Sequence, residues 1–367
     1  MIPWKKINYY GYEKKYVNQV MQSTWLSHGR FVDELEKKIC KFTKSKFVVS
    51  TSNGTSAIHL AYLALGLKKG DEVIIPGFGY LAAANIAVQM GLKPVFADVD
   101  LKTFCITADK IKKKITSKTK LIVVIHTYGN MCDLKPIMNI AKKRRIVVLE
   151  DSAESFGSKY KGKQSGSIAD IGTFSFQSTK TVTSGEGGMV ITNKNKNFKE
   201  KLRAFRNHGV KSTKYYHHLP GHNFRLPNLQ AAIAYAQLKK FSKITKERKR
   251  VYQYYKKLFN NIEGITSQLF LPNIVPVIWT FAVLLDPKIF IERDKIIKKM
   301  SKKGIETRNG FYSPCRLPMY KKFKTSHLKN SNFLSKNVIC LPFFTDLKNK
   351  QIDFIFKTLL KFKKKNY

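Results

Sequence analysis

No run of about 18 apolar residues occurs in the chain, so no segment is built to cross a bilayer as a helix. The opening residues, MIPWKKINYYGYEKKY, also lack the apolar stretch of a secretory signal, and the expected compartment is the cytoplasm. Cysteine is sparse. The five, Cys40, Cys105, Cys132, Cys315 and Cys340, are odd in number, scattered and without a CxxC pair, which argues against a disulfide framework or a cysteine-rich zinc site. His126, His208, His217, His218 and His222 show no metal spacing such as HExxH, so no metal is expected. Acidic residues are scarcest of all: 24 Asp and Glu stand against 68 Lys and Arg, a formal net charge of +44. Nucleic-acid binders can carry such a charge. Here the lysines are spread along the chain, on helix faces such as KERKRVYQYYKK and in the tail KFKKKNY, which reads as a solvated surface rather than a nucleic-acid patch. At most it helps collect an anionic substrate.

What is present is a folded α/β chain. With 367 residues, 43% of them hydrophobic, it can fill one large core and one smaller one. From about residue 45 to 195, short apolar runs alternate with amphipathic stretches. The runs are Lys46–Ser50, Glu72–Pro76, Pro94–Ala97, Leu121–His126, Ile146–Glu150, Ile171–Phe176 and Met189–Thr192. Most are rich in Val, Ile and Phe, as strands covered on both faces must be, and helical patterns such as Ser56–Leu65 and Leu134–Lys143 lie between them. This alternation predicts a mainly parallel sheet between helices. From Leu229 the pattern becomes one long, nearly unbroken helix with Pro227 just before it. A strand over Ile278–Leu285, a helix over Glu292–Lys302, an irregular stretch near Asn309–Pro318 and a final helix over Lys350–Phe362 follow. We expect a large domain over residues 1–244 and a smaller C-terminal α/β domain over residues 245–367.

Three positions carry chemistry. Asp151, in RRIVVLEDSAES, directly follows an apolar strand, where open parallel sheets bind ligands; a helix N-cap would suit the same position. Lys180, in DIGTFSFQSTKTVTSGEGG, also follows a strand, among small and hydroxyl residues. Partial desolvation makes a lysine a Schiff-base former, although a loop lysine in water is the plainer reading. In STSNGTSAIHLAYLALGL a strand runs through Asn53-Gly54-Thr55 into a helix, whose free N–H groups and dipole favour phosphate. An ordinary capped helix would look the same. Together, in the order phosphate loop, Asp, Lys, they supply what pyridoxal 5′-phosphate requires: a phosphate cradle, an acid for the ring nitrogen and a lysine for the aldehyde.

Longer stretches now bear on the question. WLSHGRFVDELEKKI, STSNGTSAIHLAYLALGLKKGDEVIIPGFGYLAAANI, IHTYGNMCDLKPI, LEDSAESFGSKYKGKQSGSIADIGTFSF, KTVTSGEGGMVITN and GHNFRLPNLQAAIAYAQL follow one another as in the DegT/StrS class of sugar-nucleotide aminotransferases, which the chain resembles nearly end to end. That class has the fold of type I pyridoxal-phosphate enzymes. Within it, KTVTSGEGGMV and IETRNGFYSPCRLPMY resemble the GDP-perosamine synthase group, which aminates C4 of GDP-4-keto-6-deoxymannose.

The resemblance implies these roles. Lys180 holds the cofactor aldehyde and moves protons. Asp151 pairs with the pyridine nitrogen. Glu154, where many relatives carry glutamine, lies near the phenolic oxygen. Gly54, Thr55 and Ser175 bind the phosphate, and Tyr80 stacks on the ring. Asn223 reaches the phosphate of a neighbouring subunit, which requires a homodimer, and Arg225 stands near the same shared site on the substrate side. L-glutamate is the implied amino donor and a nucleotide-linked 4-keto-6-deoxy sugar the acceptor. FQSTK and the Cys315 of YSPCRLP depart from the group's pattern near the expected sugar, so a dTDP- or UDP-linked keto sugar is the alternative. A non-catalytic regulator of the same fold is a further one, and a lysine at position 180 disfavours the branch of the class that carries histidine there and dehydrates its sugar.

Overall fold

The structure, a computed structural model, describes residues 1–364 except 214 and 324. Helices α1 (Tyr12–Ser23) and α2 (Arg30–Thr43) precede β1 (Phe47–Thr51), α3 (Gly54–Leu65), β2 (Glu72–Pro76), α4 (Ala82–Gln89), β3 (Lys93–Ala97), the short α5 (Ala108–Lys112), β4 (Thr119–Ile125), α6 (Leu134–Arg144) and β5 (Val147–Asp151). A hairpin of β6 (Lys159–Tyr160) and β7 (Lys163–Gln164) leads to β8 (Ile171–Ser175), β9 (Gly188–Thr192) and α7 (Lys196–Arg206).

Seven of these strands form one sheet in the order β1-β9-β8-β5-β4-β2-β3. β9 runs against both of its neighbours, and the other four pairings are parallel, so six strands point the same way. Successive side chains leave opposite faces of a strand. On β4, Leu121, Val123 and Ile125 join the core under α3 and α4, whereas Ile122 and Val124 join the core under α6. That two-sided burial is why the strands read as continuous apolar runs.

The long helix expected from Leu229 is two helices, α8 (Asn228–Lys239) and α9 (Phe241–Phe259). They meet at Lys240, whose backbone leaves helical geometry at φ −104°, ψ 11°. The cause lies next to it. The Phe241 ring packs against Phe42 and Phe156, with centroids 5.2 and 5.3 Å away, and this ties the start of α9 to the core that α1, α2 and α8 build on the large sheet. β10 (Ile265–Ser267), β11 (Ile274–Val275), β12 (Phe281–Leu285), α10 (Arg293–Lys302), β13 (Arg308–Asn309), α11 (Lys329–Asn337), β14 (Val338–Leu341) and α12 (Asn349–Leu360) complete the chain. β10-β12-β14-β13 form an antiparallel sheet, and β11 adds to β6 and β7. A separate core gathers here from α9, α10, α12, β12 and β14, beginning with Val251. We propose a division after residue 244, ahead of that first side chain.

The N-terminal segment crosses to the second sheet. The Ile2 N–H donates to Gly304 O at 2.7 Å, the Glu306 N–H donates to Ile2 O at 2.9 Å, and the Phe343 N–H donates to Trp4 O at 3.0 Å. Phe281 sits at the heart of the second core, stacked on Tyr255 at 4.5 Å. Phe281→Ala is expected to destabilise the chain by about 3–5 kcal/mol through lost burial and the cavity left behind, read as a lowered melting temperature.

Candidate active site

Because six strands are co-directional, their carboxyl ends share one edge of the sheet, the position where such sheets bind ligands. A cleft of about 940 Å³ opens there, with Gly54, Thr55, Tyr80, Asp151, Glu154, Ser175 and Lys180 among its walls. β1 delivers the start of α3, β5 ends on Asp151, and β8 ends on Ser175, five residues before Lys180.

At the start of α3, Asn53 Oδ1 accepts the Ser56 N–H at 2.8 Å. The Ala57 N–H donates to Asn53 O at 3.1 Å and opens the helical ladder. The N–H groups of Gly54 and Thr55 precede that bond and point out of the helix end, where an anion is favoured. Two glycines make the approach feasible. A Cβ on Gly54 would stand 2.8 Å from Ser175 Cβ, and one on Gly188 would stand 2.3 Å from Asn53 O.

The lysine is held by its own loop. The Gln177 N–H donates to Ser175 Oγ at 3.3 Å, the Thr179 N–H to Gln177 Oε1 at 2.8 Å, and the Lys180 N–H to Gln177 O at 2.9 Å. Trp279 fixes the loop from the far side, its indole N–H donating to Thr179 O at 2.8 Å. Lys180 Nζ lies 4.3 Å from the Trp279 ring centroid and 3.7 Å from Glu154 Oε1, on a side chain only 13% exposed.

Both carboxyl groups are short of water. Burial holds the Asp151 carboxyl above the usual carboxylate range, against the Ala153 N–H that donates to Oδ1 at 3.2 Å and the nearby Lys180 charge. Burial pushes Glu154 up to about 7, opposed by Lys180 and by the Tyr128 N–H, which donates to Oε2 at 2.9 Å. Behind Asp151 stands a pair that the sequence did not single out. Fully buried His126 has Nε2 3.0 Å from Glu150 Oε2, and the Cys132 N–H donates to its Nδ1 at 3.2 Å. The backbone bond from Cys132 fixes Nδ1 as the acceptor and Nε2–H as the donor. Glu150 also accepts the N–H groups of Gly166, Ile168 and Ala169. The His126 N–H in turn donates to Asp151 O at 3.1 Å, so the strand end carrying Asp151 is pinned.

The remaining expected residues fall in two places. Tyr80 is 62% exposed, with its ring 6.4 Å from that of Phe311 on the opposite wall. Asn223 and Arg225 are exposed and bonded to each other, Arg225 Nε donating to Asn223 Oδ1 at 3.0 Å and Nη1 to Asn207 Oδ1 at 3.2 Å. They do not line this chain's cleft, although Phe224 between them does. Cys315, which lies outside the cleft wall, is engaged with Ser313 Oγ at 3.0 Å. Trp4, Trp279, Arg308 and Tyr312 do line the cleft. Arg308 and Tyr312 lie within the IETRNGFYSPCRLPMY stretch already noted for its resemblance, whereas nothing local in the sequence brings Trp4 and Trp279 to them.

The residues fit pyridoxal phosphate. A glycine cradle at a helix N-terminus suits its phosphate, a buried carboxyl suits the ring nitrogen, and a sheltered lysine suits the aldehyde. Fold and site together define a type I pyridoxal-phosphate enzyme. Residues 10–360 match the DegT/DnrJ/EryC1/StrS aminotransferase family, and the chain belongs to it. It is therefore a pyridoxal-phosphate-dependent sugar aminotransferase. The chain is 37% identical to the GDP-perosamine synthase of Escherichia coli O157:H7, with 96% of each chain covered. It is 36% identical to that of Caulobacter vibrioides, with 95% of each covered. The Streptococcus pneumoniae protein Spr1654 in its PLP form superposes with a TM-score of 0.93 at 26% identity, covering 98% of both chains. Among the described residues no helix is long and apolar enough to cross a membrane, and no cluster of metal-ligating side chains occurs.

Glu154 yields a signed pH dependence. In the folded, cofactor-free chain it keeps its proton up to about 7, whereas its ordinary value is 4.5. The folded state therefore binds more protons between these values, and stability falls as pH rises through that window. Glu154→Gln, which carries no titrating proton, is expected to flatten the fall, by up to about 3 kcal/mol, in melting curves of cofactor-free protein recorded from pH 4.5 to 7.5.

Proposed function

We propose that the chain transfers an amino group from L-glutamate to C4 of GDP-4-keto-6-deoxymannose, giving GDP-perosamine. Relatives of that name, more than a third identical over nearly the full length, support the sugar and the carrier. The observation that carries the chemistry is the meeting of Lys180, Glu154 and Asp151 in one cleft beside the α3 N-terminus. A regulator that had lost the reaction would have no use for this set.

In this reading Gly54 and Thr55 hold the cofactor phosphate through backbone N–H groups, with the hydroxyls of Thr55 and Ser175 beside it. Bound pyridoxal phosphate supplies an electron sink next to the carbon that loses or gains a proton. Asp151 faces the ring nitrogen. A protonated nitrogen there would give this buried carboxyl a counter-charge and favour its ionised form. Lys180 Nζ would hold the aldehyde and, when free, would take and return the proton at the substrate carbon. Glu154, near neutral in proton affinity and 3.7 Å from Nζ, takes up and returns a proton beside it. Trp279, bonded to Thr179 and lying against Nζ, keeps water from that side of the lysine. Tyr80 covers the open face of the ring. Asn223 and Arg225, exposed and already paired, are set to complete the site of a second copy, so the working unit is a homodimer.

Lys180→Ala is expected to abolish transfer, lowering kcat by at least about a thousandfold, and borohydride treatment of the wild-type holoenzyme is expected to leave a pyridoxyl adduct on the peptide bearing Lys180. Mass spectrometry of products from GDP-, dTDP- and UDP-linked 4-keto-6-deoxy sugars with L-glutamate tests the acceptor. Amination of the GDP sugar is expected, and reaction of only a dTDP or UDP sugar would falsify the perosamine reading.

A further inference from the structure

Both substrates of the proposed reaction are anions, a dicarboxylic amino acid and a sugar diphosphate ester. Beyond Lys180, which the cofactor engages, the cleft wall of this chain carries one permanently charged cation among the described residues, Arg308. It sits on β13, the edge strand of the second sheet, with its side chain 57% exposed.

Its setting is built rather than incidental. Glu306 lies two residues back along the same edge. Its Oε1 accepts from Arg308 Nη2 at 2.5 Å, and its Oε2 accepts the Trp4 N–H at 2.9 Å. One carboxylate thus fixes both the guanidinium and the N-terminal segment. Arg308 Cζ stands 5.9 Å from the Trp4 ring centroid, within cation–π range. Trp4 packs edge-on to Trp279 at 5.7 Å, and Trp279 lies against Lys180. An unbroken line of contacts therefore runs from the reactive lysine to this arginine. The Trp4 indole N–H is buried and has no acceptor among the described residues. Glu306 occupies a single edge of the guanidinium, and Arg carries five N–H donors in a fork suited to carboxylate or phosphate oxygens.

We propose that Arg308, oriented by Glu306 and backed by Trp4, is an anion-binding residue of the cleft that receives a substrate carboxylate or phosphate. This rests on the aminotransferase reading but not on which sugar is used. The carboxylate belongs to the amino donor and the phosphate to the acceptor's carrier. The two sources are separable, because the donor and acceptor half-reactions are run one at a time.

The test uses holoenzyme and two simple probes, glutarate for a dicarboxylate and inorganic diphosphate for the carrier. Binding is followed by tryptophan fluorescence in a Trp25→Phe background, since exposed Trp25 lies outside the cleft. Arg308→Gln is expected to weaken one probe by about tenfold or more, the value of a charge-assisted hydrogen bond, with melting temperature and cofactor content unchanged. Arg308→Lys is expected to recover only part of that affinity, because it keeps the charge and loses the fork. Loss of glutarate binding assigns the donor carboxylate, and loss of diphosphate binding assigns the carrier phosphate. The proposal is overturned if Arg308→Gln binds both probes as the parent does, or if the parent binds neither. Neither probe contains a sugar, so a wrong acceptor assignment leaves this readout intact.

Discussion

Everything at the cleft depends on placing opposite charges where water is scarce. Asp151 and Glu154 are both buried and both above their usual proton affinity, and the nearby Lys180 opposes that rise at each of them. Burial alone would hold both carboxyls above the ordinary carboxylate range. In the reading we propose, a cofactor ring nitrogen beside Asp151 would supply a further counter-charge there. The polypeptide thus carries the desolvation of both carboxyls in its own fold. Rigid backing makes that possible. The His126–Glu150 pair and three backbone donors behind it hold the end of β5, and Trp279 holds the loop of Lys180.

Much of this was readable in the linear sequence, for physical reasons. A strand covered on both faces must be apolar throughout, so the seven main strands announced themselves within a residue or two. Parallel strands place their carboxyl ends together, so Asn53-Gly54-Thr55, Asp151 and Lys180 could be grouped without coordinates. The bend at Lys240 was hidden, because helical periodicity continues across it and only the docking of Phe241 against Phe42 and Phe156 reveals it. Arg308 sits in the IETRNGFYSPCRLPMY stretch, but its meeting with Trp4 and Trp279 was hidden for a related reason. Their contacts span about three hundred residues, as with the Trp4 N–H on Glu306, and no local pattern encodes such a meeting. Asn223 and Arg225 stand apart from the cleft of the single chain, and the homodimer we propose would bring them to a second copy's site.

The charge of +44 is consistent with the same picture. The excess lysine is dispersed, and within the cleft the cations are few and individually placed. Long-range attraction of anionic substrates and their final alignment are therefore separate tasks, the first served by many interchangeable side chains and the second by single ones.

The way the amino-terminal segment lies along residues 304–306 also orders events during synthesis. Residues 2–4 leave the ribosome some three hundred residues before their partners near 304–306 and 343. The large sheet can assemble on the growing chain, but one wall of the cleft waits for the last quarter of the polypeptide. A nascent chain therefore passes through a long interval in which Trp4 has nowhere to dock, and the cleft takes its final shape only once residues 279–320 have emerged.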